Sequence, residues 1–189
     1  MKTRAFLFQK IKMISPTQLM PKKIRSFRSF ADERSRILIL GSIPGPEALR
    51  KREYYGFKGN HFWCILPEIL KVPPPMNYTE KLRLLKENRI ALWDVVGSCA
   101  REGASDSSIR LEKPNNIIRL IKKYPEIRTI FLNGKTAEKL FKKYFGDRIQ
   151  IPAYYLPSTS PAHASIPYAK KREKWRVITR YLVNRNPWC

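Results

Sequence analysis

Short aliphatic runs that alternate with helical patterns most constrain the fold of this chain. Four such runs cover residues 36–41, 90–96, 127–133 and 151–156. Strands that are aliphatic along their whole length are typical of parallel sheets with both faces covered. The pattern therefore predicts an α/β protein with three layers, in which a parallel sheet lies between helices.

Helical periodicity fills the segments between these runs. We expect helices at 62–71, from Thr79 onwards, from Pro114 to Pro125, from Thr136 to Gly146, and around Trp175, Ile178 and Leu182. Ligands of open parallel sheets bind outside the carboxyl ends of the strands. Function is therefore expected in the loops 41–63, 94–108, 133–136 and 157–164.

The charge of the chain indicates a polyanionic partner. Lys and Arg number 38 against 15 acidic residues, a formal net charge of +23. Residues 31–189 alone hold 30 basic and 15 acidic residues, a net charge of +15. Such a field attracts nucleic acid or an anionic membrane. We favour nucleic acid, because the longest aliphatic stretch, 37–40, is far shorter than the ~20 residues that cross a bilayer.

Cysteine and histidine are too sparse for a metal centre. Cys64, Cys99 and Cys189 form no CxxC pair, and the chain has two histidines. Zinc sites, iron–sulfur clusters and disulfide frameworks need denser sets of ligands. We therefore expect no metal, no cofactor and a reducing compartment.

The length of 189 residues suits one domain, and the N-terminus differs from the rest. Residues 1–24 are basic and free of acids, and we interpret them as an extension of a domain at 25–189. The extension is either a disordered tail, with Met20 as a possible true start, or a targeting peptide. The predicted location is correspondingly cytoplasmic, at the nucleoid, or organellar. We expect a monomer.

The predicted functional loops are rich in neutral polar and aromatic residues. No Ser/His/Asp set and no Walker motif is evident. A flat ligand such as a nucleobase flipped out of DNA suits aromatic walls. Alternatively these aromatics are core residues. The set comprises Tyr54, Tyr55, Phe57, Phe62 and Trp63.

Five segments in order resemble the uracil-DNA glycosylase superfamily. They are Gly41-Ser-Ile-Pro-Gly45, Tyr54-Tyr55, Gly59-Asn-His-Phe-Trp63, Ala91-Leu-Trp-Asp94 and Leu156-Pro-Ser-Thr-Ser-Pro-Ala-His163. The GSxP and YY segments followed by N-x-F-W are similar to the hypoxanthine-DNA glycosylase branch. The resemblance covers residues 27–183. It implies an α/β/α sandwich around a four-stranded parallel sheet, with no metal in the chemistry.

The resemblance implies a monofunctional DNA glycosylase that removes deaminated bases and leaves an abasic site. Hypoxanthine from deoxyinosine is the first expected substrate, with uracil and xanthine as further candidates. Excision of uracil or thymine from G:U or G:T mismatches is the enzymatic alternative. A nucleic-acid-binding protein without catalysis is the alternative of another class.

The same resemblance assigns catalysis to an amide. The mismatch-specific branch holds its attacking water with an Asn in the GINPG loop, and Ile43 stands at that place here. The hypoxanthine branch relies instead on the Asn of N-x-F-W, which is Asn60. An amide donates to the leaving base and accepts from water without changing its charge. Asn60 could alternatively only cap the following helix.

Base-binding positions follow from the matched motifs. The flipped base is expected to stack on Phe62, with Tyr54 and Tyr55 as walls. Ser42 and Ile43 are predicted to border the base. Asp94 could accept from a purine N–H, or could hold loop amides as a structural residue.

Two segments are predicted to contact the DNA backbone. The first is the loop that grips phosphate beside the flipped nucleotide, with Ser158, Thr159 and Ser160, and with Ala162 and His163 at the tip that enters the base stack. His163 could contact phosphate instead. The second is the basic last helix, represented by Lys171 and Arg172, which is alternatively only a solvated face.

Overall fold

Four parallel strands form the central sheet in the computed structural model, which describes residues 23–101, 108–162 and 164–182. The strands of the described chain are β1 (Lys23–Arg25), β2 (Ile37–Gly41), β3 (Ile90–Asp94), β4 (Val96–Ala100), β5 (Arg110–Pro114), β6 (Thr129–Asn133) and β7 (Ala153–Leu156). The central sheet has the order β3-β2-β6-β7, and all its pairs are parallel. The predicted four-stranded parallel sheet is confirmed.

Helices cover both faces of this sheet. They are α1 (Pro46–Lys51), α2 (Phe62–Leu70), α3 (Tyr78–Glu87), α4 (Ile117–Lys123), α5 (Lys135–Tyr144), α6 (Tyr168–Trp175) and α7 (Thr179–Leu182). Alternate residues of β2 point to opposite faces, so Leu38 and Leu40 pack in one core and Ile37 and Ile39 in another. Helices α4 and α5 supply the first core, and α2, α3 and α6 supply the second. The predicted three-layer α/β architecture is confirmed.

A second, smaller sheet was not expected from the sequence. Strands β1, β4 and β5 pair antiparallel in the order β1-β4-β5. The run predicted as one strand at 90–96 therefore ends at Asp94, and Val96 starts β4 in the other sheet. The predicted domain boundary at residue 24 lies inside β1. Residues 1–22 are outside the described part of the chain.

Candidate active site

A cavity of about 730 Å³ opens at the carboxyl edge of the central sheet. Its walls come from the segments that follow β2, β3, β6 and β7, as expected for an open parallel sheet. Pockets for small organic ligands have volumes of roughly 300–1,000 Å³. The cavity is therefore large enough for a nucleobase. The predicted site residues on its wall are Ser42, Ile43, Tyr54, Tyr55, Asn60, Asp94, Ser158, Thr159, Ser160 and Ala162.

Asp94 lies beside the end of β2 and is almost fully buried. It pairs in register with Gly41, and a Cβ on Gly41 would lie 2.6 Å from Asp94 Oδ1. The glycine thus leaves room for the carboxylate. Ser26 Oγ donates to Asp94 Oδ2 at 2.7 Å, and Asn115 Nδ2 donates to the Asp94 carbonyl at 2.8 Å. Both predicted roles are compatible with this geometry, because the carboxylate holds Ser26 and also reaches the cavity wall.

Tyr54 and Tyr55 form an aromatic wall. Tyr54 is 5% exposed, and its hydroxyl donates to the Arg28 carbonyl at 3.0 Å. Tyr55 has a left-handed φ of 54°, and its ring stacks on Phe62 at a centroid distance of 3.9 Å. Burial, and then the charge of Asp94, raise the pKa values of both tyrosines far above the usual range. Both hydroxyls therefore stay neutral at physiological pH.

The expectation that a base stacks on Phe62 is wrong. Phe62 is 0% exposed and lies behind the cavity wall, where Tyr55 covers one ring face and the edges meet Trp63 and Trp175. Tyr55 occupies the position between Phe62 and the cavity. The alternative that these aromatics are core residues holds for Phe62 and Trp63, but not for Tyr55 and Phe57, which line the cavity.

Asn60 caps a helix and also keeps a donor at the cavity, so the two roles that its sequence position suggested as alternatives are compatible. Its Oδ1 accepts from the backbone N–H of Phe62 at 3.0 Å, which caps the first turn of α2. Because that N–H needs an acceptor, the amide must place its oxygen there. Nδ2 is therefore the amide atom that does not cap the helix. Nδ2 has no hydrogen-bond partner in the described structure, and Asn60 lines the cavity. The amide thus retains a donor that a ligand can use.

The loop after β7 is held rigidly against the sheet. Thr159 is 0% exposed: its N–H donates to Asn133 Oδ1, and Asn133 Nδ2 donates to Thr159 Oγ1, each at 3.0 Å. His61 N donates to the Thr159 carbonyl at 3.0 Å. A DNA contact through the Thr159 side chain is therefore corrected to an anchoring role. Ser158, Ser160 and Ala162 remain on the cavity side, and His163 lies outside the described residues.

The basic last helix does not present Lys171 to solvent as expected. Lys171 is 1% exposed, and its Nζ lies 3.4 Å from the Ser160 carbonyl oxygen. Desolvation lowers the pKa of this lysine. Arg172 binds Glu68 at 2.8 Å, a contact that lowers the pKa of the Glu68 carboxyl. The predicted phosphate contact of Lys171 is thus corrected: this side chain supports the loop from behind.

Two buried polar residues of the cavity wall were missed by sequence reasoning. Asn133 ends β6, and its place at the carboxyl edge of a predicted strand was a usable signal. Arg101 follows β4 in a stretch that the sequence predicted to be a loop, so nothing in the pattern indicated its burial. Ile43 is 6% exposed and adds an apolar patch to the wall.

The described ranges also bear on metal binding and on membrane insertion. Residues 23–101, 108–162 and 164–182 contain no group of three or more His, Cys, Asp or Glu side chains placed to hold a metal ion. The same ranges include no helix that is long and apolar enough to cross a membrane.

Comparisons with known proteins agree on one family. The model of the Uracil DNA glycosylase superfamily matches residues 27–182. A protein named hypoxanthine DNA glycosylase from Methanosarcina acetivorans is 38% identical over 159 residues, which cover 83% of this chain and 98% of that protein. Another of the same name from Methanosarcina barkeri is 40% identical over 114 residues, covering 60% of this chain and 72% of the relative.

A solved structure has the same fold. The solution NMR structure of a proposed uracil DNA glycosylase from Methanosarcina acetivorans superposes with a TM-score of 0.75 at 35% sequence identity. The match covers 85% of this chain and 99% of that one. The similarity therefore extends over most of this chain and almost all of the other.

Proposed function

The chain belongs to the uracil DNA glycosylase superfamily and is a monofunctional DNA glycosylase for deaminated bases, and we propose that hypoxanthine is its principal substrate base. The relatives named hypoxanthine DNA glycosylase support this choice, since one of them matches over 98% of its own length. DNA that contains deoxyinosine is then the partner. The products are free hypoxanthine and an abasic site.

The proposed reaction is hydrolysis of the N-glycosidic bond. Water adds its oxygen to C1′ as the C1′–N9 bond breaks, and the bonding electrons leave with the base. The attacking water loses one proton, which leaves a hydroxyl on C1′, and the departing base gains one proton. Asn60 Nδ2 is free to donate to the leaving base, and the capped Oδ1 keeps a second lone pair for water. Ile43 offers no hydrogen bond to water, so Asn60 is the proposed catalytic residue.

The proposal rests on the observation that Asn60 and Tyr55 line the same cavity. Tyr55 offers a flat face to a planar base, backed by Phe62 at 3.9 Å. Asn60 offers a donor oriented by the N–H of Phe62. A flipped base needs both features: a surface for stacking and a polar group for its edge. We further propose that Ser158, Ser160 and Ala162 contact the strand beside the flipped nucleotide.

Uracil is the second candidate base. Uracil and hypoxanthine both present a carbonyl oxygen next to a ring N–H, so one set of wall residues can read either. The apolar Ile43, which cannot hold water as an Asn would, favours hypoxanthine over the mismatch-type reaction. Removal of xanthine remains a prediction on the same grounds.

One assay tests the assignment. Purified protein is incubated with labelled oligonucleotides that contain deoxyinosine, deoxyuridine or deoxyxanthosine, single-stranded or duplex, and abasic sites are then cleaved with alkali. We expect strand cleavage first with deoxyinosine, and equal activity with and without EDTA. Faster release of uracil would overturn the ranking. Loss of activity in EDTA with recovery in zinc would overturn the metal-free mechanism. Size-exclusion chromatography tests the proposed monomer.

A further inference from the structure

Arg101 is a buried cation in the cavity wall. It is 2% exposed, lies directly after β4 and lines the cavity. Its Nη2 donates to the Pro44 carbonyl at 2.8 Å. Its Nε is buried and has no hydrogen-bond partner among the described residues. Within the described ranges no carboxylate forms an ion pair with this guanidinium.

Such an arrangement is costly unless a ligand completes it. A guanidinium keeps its charge at all relevant pH values, so burial cannot be relieved by loss of a proton. A buried donor without an acceptor loses the hydrogen bonds that water gave it in the unfolded chain. Pro44, whose neutral carbonyl is the acceptor that the described residues supply, leaves most of the Arg101 donors available. The wall at Arg101 therefore favours a ligand atom that accepts hydrogen bonds.

Asp94 provides a hydrogen-bond acceptor of opposite charge on the wall of the same cavity. Of the described residues, four with charged side chains line it, but Lys135 is exposed and Glu47 is partly exposed and paired with Arg50. Asp94 is 4% exposed, and its carboxylate accepts from Ser26 on the side of the sheet. Among the described charged side chains of the wall, Asp94 is thus the buried acceptor and Arg101 the buried donor.

We propose that Arg101 determines base specificity by donating to the 6-oxo group of flipped hypoxanthine, while Asp94 accepts from N1–H. This assignment rests on the proposed function. Deamination reverses the polarity of that edge: adenine has a 6-amino donor beside an acceptor N1, whereas hypoxanthine has a 6-oxo acceptor beside N1–H. The same reversal distinguishes uracil from cytosine. A fixed donor and a fixed acceptor therefore select the deaminated base in either ring class.

Rejection of adenine follows from the same contacts. An adenine in this orientation would place its amino donor against the Arg101 donors and its N1 lone pair against the Asp94 carboxylate. Both groups would then be desolvated without partners, which is how a polar site rejects a near isostere. The shape of the wall alone cannot make this distinction, because adenine and hypoxanthine are nearly equal in size.

Binding of uncleavable substrates tests the proposal. Duplexes carrying 2′-fluoro-arabino nucleotides of hypoxanthine, adenine or unsubstituted purine are titrated with wild type and Arg101→Met by fluorescence anisotropy. We expect Arg101→Met to lower the preference for hypoxanthine over adenine by about tenfold or more, the scale on which loss of a base-reading contact acts. Arg128→Met is the matched control, because Arg128 is exposed at the opposite edge of the sheet and should leave the preference unchanged.

The design separates recognition from folding. For wild type, purine without the 6-oxo group should bind about as weakly as adenine, and for Arg101→Met the preference for hypoxanthine over purine should shrink to the part that Asp94 and N1–H contribute. An unchanged preference in Arg101→Met overturns the proposal and leaves Arg101 as a support for Pro44. If Arg101→Met does not fold, wild type alone decides: equal binding of purine and hypoxanthine overturns it. Wild type that neither excises nor prefers hypoxanthine contradicts the proposed function itself.

Discussion

At the scale of single residues, Asn60 uses its two amide atoms for different purposes. Oδ1 caps α2 through the Phe62 N–H, and Nδ2 is left for the ligand. Asn60→Asp keeps the capping oxygen and removes the donor. We expect single-turnover excision of hypoxanthine to fall by on the order of 10² or more, as loss of a preorganised donor does elsewhere. The melting temperature should stay close to that of wild type.

Asn60→Ala is the informative control for this change. It removes donor and cap together, so we expect the same loss of rate plus a loss of about 1 kcal/mol in unfolding free energy. Equal DNA binding in all three proteins would place the defect in the chemical step. Full activity of Asn60→Asp would contradict a catalytic donor and leave the cap as the only role.

Tyr55 carries a buried hydroxyl that has no hydrogen-bond partner in the described part of the chain. Tyr55→Phe removes this group and keeps the stack on Phe62, so we expect a gain of about 1 kcal/mol in unfolding free energy at pH 8. Burial, then Asp94, raise the folded-state pKa above the unfolded value. Below about pH 10 the hydroxyl is neutral in both the folded and the unfolded state, so Tyr55 does not make the free energy of unfolding depend on pH. Above about pH 10 the unfolded chain ionises first, so the free energy of unfolding falls as the pH rises.

Urea unfolding at pH 8 and pH 10.5 measures both effects of Tyr55→Phe. The variant should lose less stability than wild type between these values, although Tyr54 maintains part of the decline. Tyr154→Phe, at a ring that is 42% exposed, is the control and should follow wild type. A Tyr55→Phe protein that is less stable than wild type at pH 8 would contradict a partnerless hydroxyl.

At the scale of elements, α6 holds the loop after β7 through two side chains one turn apart. Lys171 Nζ lies 3.4 Å from the Ser160 carbonyl, and Trp175 Nε1 donates to the Pro157 carbonyl at 2.9 Å. We expect Lys171→Met to slow excision several-fold by loosening the loop. The slope of log Kd against log salt should stay within about 0.5 of wild type, because a buried lysine contacts no phosphate.

Lys170→Met on the same helix is the matched comparison. Lys170 is exposed, so its replacement should leave the position of the loop and the rate of excision unaltered. Kinetics on duplex deoxyinosine and salt titrations on undamaged duplex measure the two properties separately. A slope that flattens by about one in Lys171→Met would return this residue to the DNA contact surface.

The sequence could predict those elements whose hydrophobic pattern has a single physical cause, such as burial. The strands at 36–41 and 127–133 are aliphatic because both sheet faces are buried there, and these two and the more exposed edge strand at 151–156 agree with the structure within two residues. Strand β5 was not predictable in this way, since its residues are mostly exposed and polar. Helix α1 follows a Gly/Pro loop that reads as irregular, so it was missed as well.

The site was predictable in position but less so in the direction of its side chains. Loops at one sheet edge had to meet, so Asn60, Asp94 and Ser158 were expected close together, and all three line the cavity. Which of two neighbouring aromatics faces the ligand depends on backbone conformation. The left-handed φ of Tyr55 is such a local feature and leaves no mark in hydrophobic periodicity. For the same reason, the burial of Lys171 could not be read from a run of charges.

At the scale of the whole molecule, the net charge of +23 must be separated into charges that can reach DNA and those that cannot. Arg101 and Lys171 are buried, and Arg172 is paired with Glu68. Lys135 is exposed at the first turn of α5 and lines the cavity. Backbone N–H groups at a helix N-terminus also favour phosphate. The phosphate beside a flipped nucleotide is therefore expected near Lys135.

Lys135→Ala tests this distribution of charge. Each phosphate contact adds roughly 0.9 to the log–log salt slope for duplex DNA, so the variant should lose about one unit of slope on damaged and undamaged duplex alike. The preference for deoxyinosine should persist, since it comes from the cavity wall and from the lower cost of flipping a mispaired base. Lys122→Ala on α4 is the control: Lys122 is exposed and lies outside the cavity lining, and its replacement should leave the slope unaltered. Equal slopes for wild type and Lys135→Ala would instead place the DNA contact away from the first turn of α5.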